Sequence, residues 1–255
     1  MALATARLLL RVLIPLGSIL ALWYLAILLS GLPAFVIPRP ERVLRTLLSE
    51  RAFITVHLVE TLKAAALGFV LSNLVGVGLA VLFVAVPAGR QVLMPVAITL
   101  RNVPYVALVT VLVLAFGDTL GSKVTIVALA GFFPVLVNTY RGLLSADRVV
   151  LDRMRILSAS ALETFLHVRL PYALPYIVSA QEITGSGSII VTIAAEWMIS
   201  SSGLGYVINR AMQQYRGDQV YAVALLAALL SFLIYSIVHV LGQRLDWQDT
   251  ARERA

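Results

Sequence analysis

Cysteine is absent from all 255 residues, which excludes disulfides, thiolate metal sites and thiol nucleophiles. Charge is scarce too: 13% of residues are Asp, Glu, Lys or Arg and 60% are hydrophobic, against about 25% and about 45–50% in a soluble domain. Too few polar residues remain to cover a water-facing surface, and a mean hydropathy of +0.93 points to lipid as the solvent. Catalytic signatures are missing as well. His57, His167 and His239 lack metal-ligand spacing, and neither H-E-x-x-H nor G-x-S-x-G occurs. Gly117-Asp-Thr-Leu-Gly-Ser-Lys123 has the wrong spacing for a phosphate loop and no strand before it. The formal net charge of +7 would suggest nucleic acid in a soluble protein. Here no basic face is interleaved with exposed aromatics, so nucleic-acid binding is not expected.

What is present is a succession of long apolar runs. A spanning helix needs about 20 apolar residues, and six stretches qualify: Val12–Leu29, Ala64–Val86, Val92–Phe116, Lys123–Tyr140, Tyr172–Ile199 and Val220–Leu241. The fold class is therefore all-α, a polytopic membrane protein with six transmembrane helices in one domain, 1–255. Val12–Leu29 is longer than a signal-peptide core and lacks an A-x-A site, so it reads as a retained anchor. Arg39–Arg51, with Val43, Leu44, Leu47 and Leu48 at helical spacing, reads as a short helix in the membrane interface. Residues 1–60 thus hold the first span and this helix, and 61–255 hold a five-helix core. An even number of spans puts both termini on the side of the segment Arg141–Arg169. That side carries Arg7, Arg11, Arg90, Arg141, Arg148, Arg153, Arg155, Arg169, Arg244, Arg252 and Arg254 and is expected to be cytoplasmic. The other side keeps Arg39, Arg42, Arg45, Arg51, Lys123, Arg210 and Arg216.

The longest hydrophilic segment carries a pattern of its own. Ser145–Leu170 reads as helix, with Leu151, Met154, Leu157, Leu162 and Phe165 in one apolar stripe and Asp147, Asp152, Arg153, Arg155 and Glu163 on other faces. Pro171 and Pro175 then stop this helix and open the next. Periodicity alone favours a loop helix packed on its own bundle.

The residues of this segment resemble the cytoplasmic "EAA" loop of binding-protein-dependent ABC importer permeases, in particular the nitrate/sulfonate/taurine permease family. The likeness runs through Leu151-Asp-Arg-Met-Arg-Ile-Leu-Ser-Ala-Ser160, Phe165, Val168 and Leu170-Pro-Tyr-Ala-Leu-Pro-Tyr-Ile177. It continues in Pro38-Arg-Pro-Glu-Arg-Val43, Thr61-Leu62, Gly68-Phe69, Arg101-Asn-Val-Pro104, Phe116–Lys123, Phe132-Phe-Pro134, Asn138-Thr139, Ala195-Glu196 and Gly203-Leu-Gly-Tyr206. The resemblance implies a type I (MetI-like) permease fold in the bacterial inner membrane. It also implies a homodimeric route, two ATPase subunits that bind ATP and Mg, and a periplasmic or lipid-anchored solute-binding protein, with no catalysis or cofactor in this chain. The coupling helix would lie at about 146–168, with Asp152, Arg155, Leu157, Ser158, Ala159, Ser160 and Phe165 meeting the ATPase in helix-in-groove fashion. The family pattern Glu-Ala-Ala stands here as Asp152-Arg153-Met154, and its glycine as Ser158, which lacks glycine's freedom at positive φ.

Polar residues within the runs are the remaining candidates, since charge at bilayer depth needs a partner or a cavity. Glu182, with Ser186 and Ser188 in a small-residue run, either lines the pathway or pairs with Arg101 or Lys63. Arg101 and Asn102, ahead of Pro104, either line the route or reach the interface. Glu196 and Trp197 form an outer gate with Ser200–Gly205, or Trp197 anchors at the interface. By resemblance the solute is a small anion of the sulfonate, taurine or nitrate type. Relatives of this kind carry arginine where this chain has Glu182, which keeps neutral or cationic vitamin precursors such as pyrimidines open. An ion-driven secondary transporter is the other alternative, although matched halves with broken helices are not seen.

Overall fold

The computed structural model describes residues 2–245, with side chains described from 14 to 243. Among the described residues all regular structure is helical: α1 (Ala2–Ser30), α2 (Pro40–Ser49), α3 (Arg51–Ala85), α4 (Pro87–Asn102), α5 (Tyr105–Phe116), α6 (Leu120–Leu143), α7 (Arg148–Ile156), α8 (Ala161–Thr164), α9 (Leu170–Ile199), α10 (Leu204–Gln213) and α11 (Gly217–Leu245). Four of these are long and apolar enough to cross a bilayer: α3, α6, the run from α8 through α9, and α11. The α4–α5 pair makes a fifth if its two arms form one span. The described apolar part of α1, Ile14–Ser30, is shorter, so among the described residues four or five spans are seen and not six.

The centre of the bundle is α3, α6 and α9. Ala80, Phe83, Phe132, Phe133, Leu136, Leu143 and Ala173 are buried there as one cluster. In lipid the apolar solvent gives helices little reason to associate, so close packing must supply it, and small residues allow close packing. Gly76 illustrates the point: a Cβ at that position would lie 2.8 Å from the Phe132 carbonyl oxygen and from Val135. Asn73 and Gln181 join α3 to α9 through a 2.7 Å side-chain hydrogen bond. The outward faces carry Leu74, Leu114, Phe232 and Leu241 exposed, as a lipid-facing surface does.

The interruption expected in Val92–Phe116 is present: two helices, not one straight rod, meet at 91° at Val103-Pro104. Proline disfavours the helical region for the residue before it, and Val103 is extended, at φ −67° and ψ 124°. Two sequence expectations are corrected. Ser145–Leu170 is not one amphipathic helix; it breaks after Ile156 and restarts at Ala161. Pro171 does not end a helix, because the chain passes from α8 through a π-helical turn, Phe165–Arg169, straight into α9. A widened turn of this kind accommodates the ring, which a regular turn would drive against a carbonyl.

Candidate functional site

One end of the bundle presents α7, a tight turn and α8 outside the packed core. Two anchors hold this segment. Arg169 donates to the Leu143 carbonyl at the end of α6, at 3.0 Å. Ser145 donates to the carbonyls of Gly142 and Tyr172, at 2.8 and 3.3 Å. Ala146 and Val168 are buried beside them. Asp147 caps α7 by accepting from the Val149 N–H at 2.9 Å. Ser160 and Glu163 form a reciprocal capping box that opens α8.

Between the two helices the backbone turns in a Schellman motif. Ser158 N–H donates to the Arg155 carbonyl at 2.9 Å, and Ala159 N–H to the Met154 carbonyl at 3.0 Å. Ser158 holds the left-handed position, with φ +53°, where glycine is the usual occupant. The turn pushes Ile156 and Leu157 outward, 82% and 75% exposed, with Leu162 and Val149 also exposed. Of the expected stripe Leu151, Met154 and Phe165 are partly covered, Phe165 against the core cluster, whereas Leu157 and Leu162 are exposed. Asp152 and Arg155 pair with each other at 2.9 Å on the exposed side. Leu151, Arg155, Leu162, Thr164, Phe165 and Arg169 border a groove of about 610 Å³ against the end of α3.

The candidate pathway residues scatter. Arg101 and Asn102 are exposed at the α4–α5 bend, and the Arg101 guanidinium lies 4.7 Å from the Phe133 ring centre, part-way along α6. Among the described residues no carboxylate lies within 4 Å of Arg101. Glu182 pairs with neither Arg101 nor Lys63. Its carboxylate meets His239 of α11 at 2.8 Å, and Lys63 pairs with Glu60. Tyr235 stacks on His239, and Gln243 meets its other ring nitrogen at 3.1 Å. Ser186 and Ser188 donate to carbonyls of their own helix. Ser188 also borders a cavity of about 160 Å³ among α3, α6 and α9.

Glu196 is 1% exposed and lines no open route. It belongs to a clamp on the first backbone N–H groups of α10, at the opposite end of the bundle from α7. Gly203 N–H donates to His57 Nδ1 at 3.1 Å, Leu204 N–H to Thr61 Oγ1 at 2.8 Å, and Gly205 N–H to Glu196 Oε2 at 3.1 Å. Thr61 in turn donates to Glu196 at 2.7 Å. Gly203, at φ +98°, and Gly205 leave no room for a Cβ, which would fall 2.1 Å from the Glu196 carboxyl and from the Ile193 carbonyl respectively. Trp197 is 44% exposed, and its carbonyl accepts from Asn209. The preceding corner is tied to Asp118, which accepts from Ser200 Oγ at 2.9 Å and Ser201 N–H at 2.8 Å and faces Lys123 at 3.3 Å. Burial pushes the Asp118 carboxyl up, but the Ser201 and Ser200 hydrogen bonds and Lys123 outweigh it and hold it below its ordinary value. Sequence reading missed His57, Thr61 and Asp118; the two glycines flanking Leu204 were the available signal.

Comparison with known proteins adds to this geometry. Residues 72–247 match the family model described as binding-protein-dependent transport system inner membrane component. The chain is 32% identical over 222 residues to a putative aliphatic sulfonates transport permease protein of Escherichia coli, covering 86% of this chain and 84% of that one. It is 31% identical over 222 residues to a formylaminopyrimidine transport permease protein of Halalkalibacterium halodurans, covering 86% and 88%. Among solved structures, a chain of the MetNI methionine ABC transporter in inward-facing conformations superposes with a TM-score of 0.68 at 16% identity, over 75% of this chain and 95% of that chain.

Proposed function

The chain belongs to the binding-protein-dependent transport system inner membrane component family and is a multi-pass ABC importer permease subunit; we propose that two copies enclose the route of a small anion and are driven by ATPases docked on the α7–α8 turn. The exposed turn carries this reading. Ile156 and Leu157 stand in water on a segment braced to α6 and α9, the arrangement that helix-in-groove recognition by a partner requires. The ATPases bind ATP and Mg, and a solute-binding protein delivers cargo to the opposite face; the chain itself performs no catalysis. In this reading the α7–α8 end and both termini are cytoplasmic, while α2 and α10 lie outside, in keeping with the excess of arginine on the former side. Closing of the ATPases draws the two turns together and rocks the bundles between inward-open and outward-open states.

An anion of the sulfonate, taurine or nitrate type is favoured by charge accounting. Arg101 stands at a break in a span with no carboxylate within 4 Å among the described residues. Glu182 meets His239 and forms no ion pair with Arg101. Reconstitution tests the reading. Proteoliposomes holding this chain with its ATPase and solute-binding protein should accumulate taurine or an alkanesulfonate only with ATP, and Arg101→Ala should lower uptake about tenfold or more. Uptake by the chain alone under a proton gradient would make it a secondary carrier. ATP-driven uptake of a pyrimidine, with no response to sulfonates, would replace the anion by a vitamin precursor.

A further inference from the structure

The outer end of the chain, in the orientation proposed above, has an excess of cations that the permease reading leaves unused. Arg39, Arg42, Arg45 and Arg51 fall within 13 residues at and around α2. Translocated segments normally avoid such clusters, since Lys and Arg favour the cytoplasmic side. A cluster kept there against the bias calls for a use.

The nearby acids neutralise it only in part. Glu41 accepts from the Tyr24 hydroxyl, which lies on α1. Glu50 is taken by Arg216 and by Gln219, the latter at 2.7 Å. Asp218 is buried and accepts from Thr46 at 2.8 Å, with Arg216 at 3.8 Å. Arg42 reaches Asp218 only at 3.7 Å, through its Nε, and stays 61% exposed. Among the described residues Arg39, Arg45 and Arg51 have no carboxylate within 4 Å. Arg39, Arg42 and Arg45 follow at steps of three, which at about 100° per residue keeps them within roughly 120° of one another on the helix surface. They border an open groove of about 630 Å³ that is also lined by Glu41, Glu50, Asp218 and Arg216. The adjoining flank of α2 is fixed in the protein by buried Pro40, Val43 and Thr46.

We propose that the arginine ridge of α2 is a docking surface for an acidic face of the solute-delivering protein. The inference rests on the permease reading and on its orientation, and it adds where the partner engages and by what chemistry. A protein partner is favoured over lipid headgroups by the helix itself. Leu44 and Leu48 are exposed on a separate flank of α2, Leu48 at 70%. An interfacial helix turns such a flank to hydrocarbon, and that sets Arg45 roughly 80° and Arg42 roughly 140° around the helix from it, toward water. Free guanidinium groups facing water steer an acidic partner and fix its register.

The test uses the whole importer in phosphatidylcholine nanodiscs, with the solute-binding protein added from outside and ATP hydrolysis as the readout. The variant is Arg39→Glu/Arg45→Glu, neither residue having an ion-pair partner to lose. Basal hydrolysis should stay unchanged. The concentration of binding protein giving half-maximal stimulation should rise about tenfold or more, and its dependence on salt should weaken. Arg39→Lys/Arg45→Lys, which keeps the charge, should restore most of the response. Unchanged stimulation in the glutamate variant overturns the ridge. A defect seen only when phosphatidylglycerol replaces phosphatidylcholine assigns the arginines to lipid instead and also overturns it. Orientation is read separately: with no native cysteine, Ser49→Cys should react with an impermeant maleimide from outside, and labelling only from inside removes the ridge's premise. If the wild type shows no stimulation at all, the permease reading falls first and the ridge with it.

Discussion

Replacing Ile156 and Leu157 together by aspartate probes the turn where the proposed motor acts. Both side chains are exposed, at 82% and 75%, and neither belongs to the buried cluster of α3, α6 and α9. The substitution therefore leaves the chain's own packing intact, and its amount in the membrane and unfolding temperature in detergent should stay as in the wild type. The cost falls on assembly. Burying one such side chain against a partner contributes about 1.5–3 kcal/mol, so losing two costs about 3–6 kcal/mol before any penalty for carboxylates facing an apolar groove. At 1.4 kcal/mol per tenfold, ATPase affinity should fall roughly a hundredfold to ten-thousandfold. The assay is binding of the purified ATPase to nanodisc-embedded chain, followed by ATP-driven uptake. Wild-type affinity with wild-type uptake in the double variant would refute the argument that this turn is the contact.

Three further outcomes are expected. Gly205→Ala puts a Cβ 2.1 Å from the Ile193 carbonyl and 2.3 Å from the Trp197 nitrogen, both backbone atoms, and should cost about 3 kcal/mol of stability, seen as a lower unfolding temperature. Ser158→Gly relieves the left-handed strain at φ +53° by about 1 kcal/mol while loosening the unfolded chain; it should leave the thermal midpoint equal or slightly higher, whereas Ser158→Val should lower it. For Asp118 the folded carboxyl titrates below its ordinary value of 3.8, so its contribution is present above that pH and is lost as pH falls through the lower folded value. The stability difference between wild type and Asp118→Asn should be flat from pH 7 to about pH 5 and shrink only below about pH 4, measured by unfolding across that range.

Much of the architecture was written in the apolar runs. Lys123–Tyr140 lies within α6, Tyr172–Ile199 within α9 and Val220–Leu241 within α11, because a bilayer sets both the length and the composition of a span. The start of α3 at Arg51 was hidden, since its first turns carry Arg51, His57 and Glu60 above the apolar stretch. At the α7–α8 turn periodicity misled. Leu157 and Leu162 continue a helical pattern although a left-handed serine stands between them, and serine is a weak punctuator compared with glycine. The better signal was Ser160-Ala-Leu-Glu163, a capping box in plain sequence. The partner of Glu182 was out of reach, because His239 lies 57 positions away on another helix and only packing brings them together. The clamp on α10 joins α3, α9 and α10 in the same way, and only its glycines left a local mark.

The π-helical passage between α8 and α9 has a mechanical corollary. One residue beyond the regular count is stored there, so the short arm and the long rod share a backbone but differ in phase. Were that surplus residue expelled toward either side, the arm would swivel by about 100° about the rod's axis without any hydrogen-bonded segment being undone. In the proposed coupling a push on the arm would reach α9 along one continuous backbone, and deleting one residue from Phe165–Arg169 would leave that shaft intact yet aim the arm in the wrong direction.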